Sequence, residues 1–400
     1  MKQAIRTKYL EVLKNFRDHH VIKVITGIRR SGKSTLLQQY QEVLLADGVD
    51  PSQIVSINFE DFDYAELDNA NALYEYIKPK LNADKMNYLF FDEVQHVADF
   101  QKVIDGLYVK PLTDIYITGS NATMLSGELA TLLSGRYVEI SILPLSFKEY
   151  YEVKKQNDRS AESIFSEYQR WGGFPYFIQM PNSGQMMREY LSGVYNTVVL
   201  KDIISRRSFN DTMMLDGVIR FMCDNIGNTL STKKIADTMT SNGRKIDVKT
   251  IERYLLALTE SFILYKTKRY DIKGRQYLKT QDKYYLVDLG IRHYLLGNKG
   301  GDNGHELENI VYLELLRRGY DVFIGKIGSQ EVDFIAIGNN GTEYYQVSET
   351  VRDINTLGRE LASLQQINDA YPKYLLTLDS DAFVDHNGIK QLNVIDWLLQ

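Results

Sequence analysis

Eight residues, Gly27-Ile-Arg-Arg-Ser-Gly-Lys-Ser34, have the types and spacing of a loop that grips phosphate. Such a loop must turn successive backbone N–H groups toward an anion, and glycine at the sharpest bends avoids a Cβ clash, which accounts for Gly27 and Gly32. The amides of Ile28, Arg29, Arg30 and Ser31 then face the phosphates, Lys33 supplies a point charge, and the Ser34 hydroxyl is placed to ligate Mg²⁺. A helix predicted over residues 35–45, opening at Thr35, aims its positive end at the same anion. The apolar run Val21-Ile-Lys-Val-Ile25 just before the loop is the strand such a loop needs.

A second set of residues fits the same chemistry. Tyr88-Leu-Phe-Phe-Asp-Glu93 reads as a buried strand delivering two carboxylates to one end of a parallel sheet. In P-loop ATPases the first acid holds the Mg²⁺ shell and the second polarises the attacking water, and Asp92 and Glu93 take those places. A third strand, Asp114-Ile-Tyr-Ile-Thr118, leads to Gly119-Ser-Asn121; Asn121 or Ser120 could reach a terminal phosphate, or the pair could cap the next helix. Arg136, before the apolar stretch 137–143, reads either as a charge-stabilising arginine acting in cis or from a second subunit, or as a surface residue.

The elements that must position these groups recur regularly. Strands are predicted at 21–26, 54–59, 88–91, 115–118 and 137–143 with helical patterns between them, so the fold class is α/β, a parallel P-loop sheet over residues 1–145. One helix is predicted over residues 1–20. Beyond Pro144-Leu-Ser-Phe147 the strand signal stops, and 146–215 reads as a helical lid broken at Trp171-Gly-Gly-Phe-Pro175. Within it, Lys201-Asp-Ile-Ile-Ser-Arg-Arg207 offers cations for the nucleotide, for domain contacts or for a solvated helix face.

Residues 216–295 change character. A short helix capped by Ser231, a turn at Ser241-Asn-Gly-Arg244, a second helix from Asp247, then β-like segments around a basic hairpin tip resemble a winged helix-turn-helix. Between Gly243 and Lys279 ten cations face four carboxylates, an excess of six on a chain whose net charge is −5. Lys249 and Arg253 would face the major groove, and Lys268, Arg269, Lys273 and Arg275 would clamp phosphates of double-stranded DNA.

Residues 296–400 read in the order αβββαβ, with an Asn339-Asn-Gly341 hairpin turn, an order comparable with the restriction-endonuclease-like core. In that superfamily an acid on the first helix, an Asp and a Glu-x-Lys hold Mg²⁺ and activate water. Glu308, Asp333 and Gln346-Val-Ser348 fall on those positions. Gln346 lacks the charge and Ser348 the cation, so a degenerate, non-cleaving site is expected.

Composition bounds the rest. Four hundred residues with 44% hydrophobic content can bury several cores. Cys223 is the sole cysteine, which excludes an intrachain disulfide and a cysteine zinc site, and the six histidines show no ligand spacing. No apolar run long enough to span a bilayer and no leader-like N-terminus is seen, so a cytoplasmic protein without membrane partners is expected.

Taken in order, Gly27–Ser34, Phe91-Asp-Glu93, Thr118-Gly-Ser-Asn121, Leu133-Ser-Gly-Arg136, Pro144-Leu-Ser-Phe147 and Gly172-Gly-Phe-Pro175 resemble the prokaryotic AAA-type ATPases of the archaeal-ATPase group, which carry a C-terminal domain of unknown function. The resemblance implies an additional-strand AAA-like core, a helical lid, a winged helix and a nuclease-like tail. The expected activity is hydrolysis of ATP to ADP and phosphate with Mg²⁺, coupled to engagement of DNA or a DNA-associated partner. The alternatives are a nucleotide-gated binding switch with little hydrolysis, and an ATP-fuelled nuclease using Glu308 and Asp333. A homo-oligomer would be required if Arg136 acts across a subunit boundary.

Overall fold

The computed structural model describes residues 3–120, 133, 135–155, 159–180, 183–197, 203–204, 209, 211–241, 243–274, 276–277, 281–297, 303–380 and 383–400. They form two compact units, Gln3–Pro144 with Glu260–Phe262, and Leu145–Thr259 with Ile263–Gln400.

The first unit contains α1 (Thr7–Asn15), β1 (Ile22–Thr26), α2 (Lys33–Ala46), β2 (Ile54–Asn58), α3 (Ala70–Ile77), β3 (Asn87–Asp92), α4 (Phe100–Tyr108), β4 (Thr113–Gly119) and β5 (Tyr137–Ser141). The strands form one parallel sheet in the order β2-β3-β4-β1-β5. β4 is thus inserted between the strand before the loop and the strand carrying the acid pair. Because side chains alternate across a strand, Leu89 and Phe91 pack with α3 and α4 while Tyr88 and Phe90 pack with α1 and α2. Burial on both faces explains the near-continuous apolar runs of β1 and β3.

The single helix expected over residues 1–20 is shorter. Arg6 leaves the helix because its guanidinium donates to the carbonyls of Ser31, at 3.0 Å, and Leu143, at 2.7 Å. At the other end Asp18 takes a left-handed conformation and its N–H donates to Asp114. β1 also buries a lysine: Lys23 is fully enclosed and pairs with the buried Asp114 on β4.

In the second unit come α5 (Phe147–Lys154), α6 (Ala161–Trp171), α7 (Gly184–Val194), α8 (Thr212–Asp224), α9 (Thr232–Ser241) and α10 (Val248–Glu260). Residues 146–215, expected as a lid, belong to this unit. The stretch Lys201 to Arg207 lies outside the described residues except Ile203 and Ile204. Ser146 and Glu149 form a reciprocal capping box on α5. The turn after α6 wraps a buried carboxylate: Asp288 accepts the Gly173 N–H at 2.6 Å, and a Cβ on Gly172, whose φ is +85°, would overlap it. Ser231 accepts from Lys234 N–H and Asp247 from Thr250 N–H, so both helix starts read from the sequence are capped as expected.

The strands that follow differ from a single basic hairpin. β6 (Leu264–Thr267) pairs antiparallel with β9 (Lys283–Leu286), while β7 (Arg269–Asp271) and β8 (Gln276–Tyr277) leave that ribbon to join the C-terminal sheet. The rest comprises α11 (Leu289–Leu296), α12 (Asn303–Arg317), β10 (Asp321–Ile327), β11 (Gln330–Gly338), β12 (Gly341–Val347), α13 (Ile354–Gln365), β13 (Lys373–Thr377), β14 (Val384–His386), β15 (Ile389–Asn393) and α14 (Val394–Leu399). Among the described residues the sheet has the order β14-β15-β13-β12-β11-β10-β7-β8. β7 runs parallel to β10, and Tyr270 and Tyr277 pack on Phe323, covering an edge that would otherwise expose unpaired backbone. The strands β14 and β15 and the last helix extend the αβββαβ order beyond the sequence reading.

Candidate functional site

The loop between β1 and α2 is built from constraints its sequence announces. Gly27 has φ +142°, and a Cβ there would lie 2.3 Å from the Ile142 carbonyl oxygen, so glycine is required. Gly32, at φ +97°, opens α2, and Arg30 also sits at positive φ. Arg29 pairs with Glu60 at 2.7 Å. Lys33 is 4% exposed, with Nζ 3.3 Å from the Gly27 carbonyl, 3.4 Å from that of Ile28 and 3.2 Å from Glu93 Oε1. Ser31 Oγ is buried without a hydrogen-bond partner, whereas Ser34 is exposed and Thr35 half-buried.

Asp92 and Glu93 stand at the end of β3, as expected. Glu93 adopts a left-handed conformation, φ 54° and ψ 47°, an arrangement that costs of order 1–3 kcal/mol for a non-glycine residue. Thr118 at the end of β4 supports it. Its Oγ1 accepts the Glu93 N–H at 2.8 Å and donates to Asp92 Oδ1 at 2.5 Å. The two neighbouring carboxyls are driven in opposite directions. Burial raises Asp92 above the usual carboxylate range, with Glu93 adding to the effect and the Ser34 and Thr118 hydroxyls opposing it. Burial acts on Glu93 too, but the Lys33 ammonium reverses it, and Glu93 lies below its usual range.

These residues fit a magnesium–nucleotide ligand. Mg²⁺ is generally held by one or two protein oxygens and completed by phosphate and water, and Ser34 and Asp92 are such a pair. No three His, Cys, Asp or Glu side chains among the described residues converge on a metal-sized space, and this binding mode does not need them. The buried Ser31 hydroxyl and the Lys33 ammonium are donors already inside the loop.

Sequence reasoning missed Thr118 and Arg6. Thr118 carried a signal, since a hydroxyl at a strand end beside the loop is well placed, but the neighbouring Ser120 and Asn121 drew the assignment. Asn121 lies outside the described residues, and Ser120 is buried. Arg6 carried none.

The structure corrects the cis reading of Arg136. β5 runs parallel to β1 with Ile22 opposite Tyr137, and Ile22 N–H donates to the Arg136 carbonyl. Arg136 therefore stands at the amino end of the sheet, a strand length of about 15 Å from the loop that follows Thr26. Its guanidinium pairs with Asp105 and lies 5.4 Å from the Tyr108 ring centroid.

Among the basic candidates, Lys249, Arg253, Lys268 and Lys273 are exposed. Arg269 is not available in the same way, being 14% exposed, hydrogen-bonded to Gln281 at 3.0 Å and close to Glu331. Arg275 lies outside the described residues.

In the second unit Glu308, Asp333 and Gln346 come together, and Ser348 does not. Asp333 accepts the Val347 N–H at 2.8 Å and its own N–H donates to Gln346 Oε1 at 3.3 Å. The Ser348 hydroxyl turns instead to the Thr350 carbonyl. The sequence reading missed Lys283, whose Nζ lies 2.9 Å from Glu308 Oε1 and 2.8 Å from Glu331 Oε1.

Comparison with known proteins places this geometry. Residues 19–151 match the model of an AAA domain family, and residues 162–302 match that of a domain of unknown function. A Walker-type ATPase of Pyrococcus abyssi shares the fold over 72% of this chain and 95% of its own, with a TM-score of 0.51 and 13% identity. An uncharacterized protein of Haemophilus influenzae is 43% identical over 99% of this chain and 98% of its own length. One of Methanocaldococcus jannaschii is 30% identical over 84% of this chain and 76% of its own. The chain, with its P-loop AAA domain, belongs to the same family as these Haemophilus and Methanocaldococcus proteins.

Proposed function

We propose that the chain is a Mg²⁺-dependent ATPase whose nucleotide state controls engagement of double-stranded DNA. One observation carries the reading: the Lys33 ammonium is buried inside the Gly27–Ser34 loop, facing an acid pair on the strand beyond β4. Lys33 and the amides of residues 27–35 hold the phosphates, and Ser34 and Asp92 hold Mg²⁺. When bound, Mg²⁺ neutralises charge on the β- and γ-phosphates. Glu93 takes the proton of the attacking water as the bridging P–O bond breaks and ADP leaves with the electron pair. Asn121 is assigned to the γ-phosphate, and Arg136 enters only as a residue reaching the site of a second copy. Phosphate release by wild type, Lys33→Ala and Glu93→Gln tests this reading; equal rates in all three reject it.

The DNA part rests on α9, its turn and α10 as a helix-turn-helix within a winged-helix region spanning 216–295. Lys249 and Arg253 are exposed on α10, and Lys268 and Lys273 are exposed between β6 and β8. Residues 146–215 are read as a helical lid and 296–400 as an endonuclease-like fold. Duplex binding followed against salt concentration tests this half separately, since phosphate contacts give a steep salt slope.

A specific observation favours a second reading, a nucleotide-gated switch with little turnover. Glu93 is ion-paired with Lys33 and hydrogen-bonded by Gln95, so both oxygens of the candidate base are engaged. Tight ATP binding with negligible phosphate release would select it.

A further inference from the structure

The nuclease-like fold implies a divalent metal held by Glu308 and Asp333, and the residues present do not fit one. We propose that the Lys283 ammonium is a built-in cation at this place, making the cluster an ion-paired lock between the β6–β9 ribbon and the C-terminal sheet, closed to divalent metal while Lys283 is there.

The geometry engages most of the polar groups that a metal would need. Glu308 on α12 is buried, and its Oε1 accepts from Lys283 Nζ at 2.9 Å and from the Tyr285 hydroxyl. Its Oε2 lies 3.4 Å from His305 Nδ1. The same Lys283 Nζ reaches Glu331 Oε1 on β11 at 2.8 Å, so one ammonium joins β9, α12 and β11. Asp333 Oδ2 is taken by the Val347 N–H. Gln346, where the superfamily has an acid, donates its amide to Glu360 at 2.8 Å and accepts the Asp333 N–H, which a carboxylate metal ligand would not be free to do. Arg359 in turn pairs with Glu360.

The cluster is also closed sterically on the Glu308 side. Gly227, at φ +70°, passes so near that a Cβ would lie 2.8 Å from His305 Nδ1 and 3.1 Å from Glu308 Oε2. Lys283 is 5% exposed at its side chain and Glu308 8%. A buried carboxylate, Glu308, and a partly exposed one, Glu331, share the buried ammonium, which satisfies the requirement that enclosed charges be paired and hydrogen-bonded. The charge states of Lys283 and Glu308 agree with this, while burial and the neighbouring Glu308 push the Asp333 carboxyl well above the usual carboxylate range. Burial alone would lower Lys283, yet Glu308, Asp333 and Glu331 hold it above its usual value, and Lys283 keeps Glu308 ionised against the same burial.

A lock of this kind has a consequence a catalytic site would not share: removing the lysine should create a metal site. Without Lys283, the Glu308 and Glu331 carboxylates that share its ammonium would be left uncompensated, two oxygen ligands of the kind that hold Mn²⁺ or Mg²⁺ with water.

The test uses the full-length chain without nucleotide, in melting experiments and calorimetry with MnCl₂. Wild type should show no Mn²⁺ response that depends on Asp333. Lys283→Met should melt several degrees lower and be raised again by millimolar Mn²⁺, and Lys283→Met with Glu308→Gln should lose that rescue. If Lys283→Met does not yield folded protein, wild type and Asp333→Ala decide the matter by their heats with Mn²⁺. A wild-type heat abolished by Asp333→Ala, or Mn²⁺-dependent DNA cleavage abolished by it, overturns the lock, as does a folded Lys283→Met chain indifferent to Mn²⁺.

Discussion

Glu93 Oε1 lies 3.2 Å from Lys33 Nζ, so the acid proposed to work on water is ion-paired with the lysine proposed to hold phosphate. On the proposed reading, nucleotide phosphate competes with Glu93 for the Lys33 ammonium. Glu93→Gln removes the charge that competes for Lys33, and a hydrogen bond to a charged group contributes about 1.5–3 kcal/mol, so ATP affinity should rise roughly tenfold or more. Loss of the general base should lower phosphate release roughly 10²–10⁴-fold. Fluorescent-nucleotide titration and phosphate release measure the two effects; unchanged affinity would show that the pair does not restrain the loop.

Thr118 joins both acids through a single oxygen. Thr118→Val keeps the shape, leaves the Glu93 N–H without its acceptor and frees Asp92. The expected stability loss is about 1–3 kcal/mol, the cost of a buried unsatisfied group. ATP affinity should change little while turnover falls, because the variant disturbs the acids and not the amide loop. A turnover equal to wild type in a folded variant would remove Thr118 from the site.

The buried Lys23–Asp114 pair makes a prediction about stability alone. Asp114→Ala leaves an enclosed ammonium without its partner, which typically costs 3–5 kcal/mol. Replacing both partners, with Lys23→Met and Asp114→Leu, should recover part of that, since no charge is left to desolvate while the Asp18 N–H and the Tyr116 hydroxyl still lose their acceptor. Denaturant unfolding of the variants decides it, and a double variant as unstable as Asp114→Ala would contradict the reasoning.

The contrast between these pairs shows what sequence can and cannot reveal. That Lys33 and Glu93 meet is legible in the sequence, because glycine bends, a lysine and strand-end acids keep the fixed sequence relations that the proposed phosphate site requires. Lys23 looked like a polar break in an apolar strand, and its partner lies 91 residues away. Lys283 was harder. Its acids lie on α12 and β11, and only the departure of β7 and β8 to the far sheet brings β9 against them. The same departure explains Arg269, counted among phosphate clamps by local charge and drawn by β7 against Glu331. The cis reading of Arg136 failed for a topological reason, since a residue before a parallel strand stands at the opposite end of the sheet from a residue after one.

Exposure now divides the basic candidates. Lys249, Arg253, Lys268 and Lys273 are open to solvent, and each alanine substitution should weaken duplex binding and reduce the salt slope by about one. Arg269→Ala should change the slope much less, because its charge is already answered within the fold. Equal effects at Arg269 and Lys268 would show that the ion pair opens on binding.

Asp288 makes stability depend on pH. Burial lifts its carboxyl to about 7, against the N–H groups of Gly173 and Gly290 that favour the charged form. In the unfolded chain such a group titrates near 3.9. Between these values the folded chain binds a proton that the unfolded chain does not, so this contribution to stability is present in acid and is lost as pH rises from about 4 through 7. Asp288→Asn cannot titrate. The stability of wild type relative to this variant should therefore be greater at pH 5 than at pH 8, whatever the variant costs at either. Urea unfolding of both chains at the two pH values reads the difference directly. A gap that is the same at both would mean that the Gly172-Gly173 turn and Gly290 hold the ionised carboxylate as well as water does.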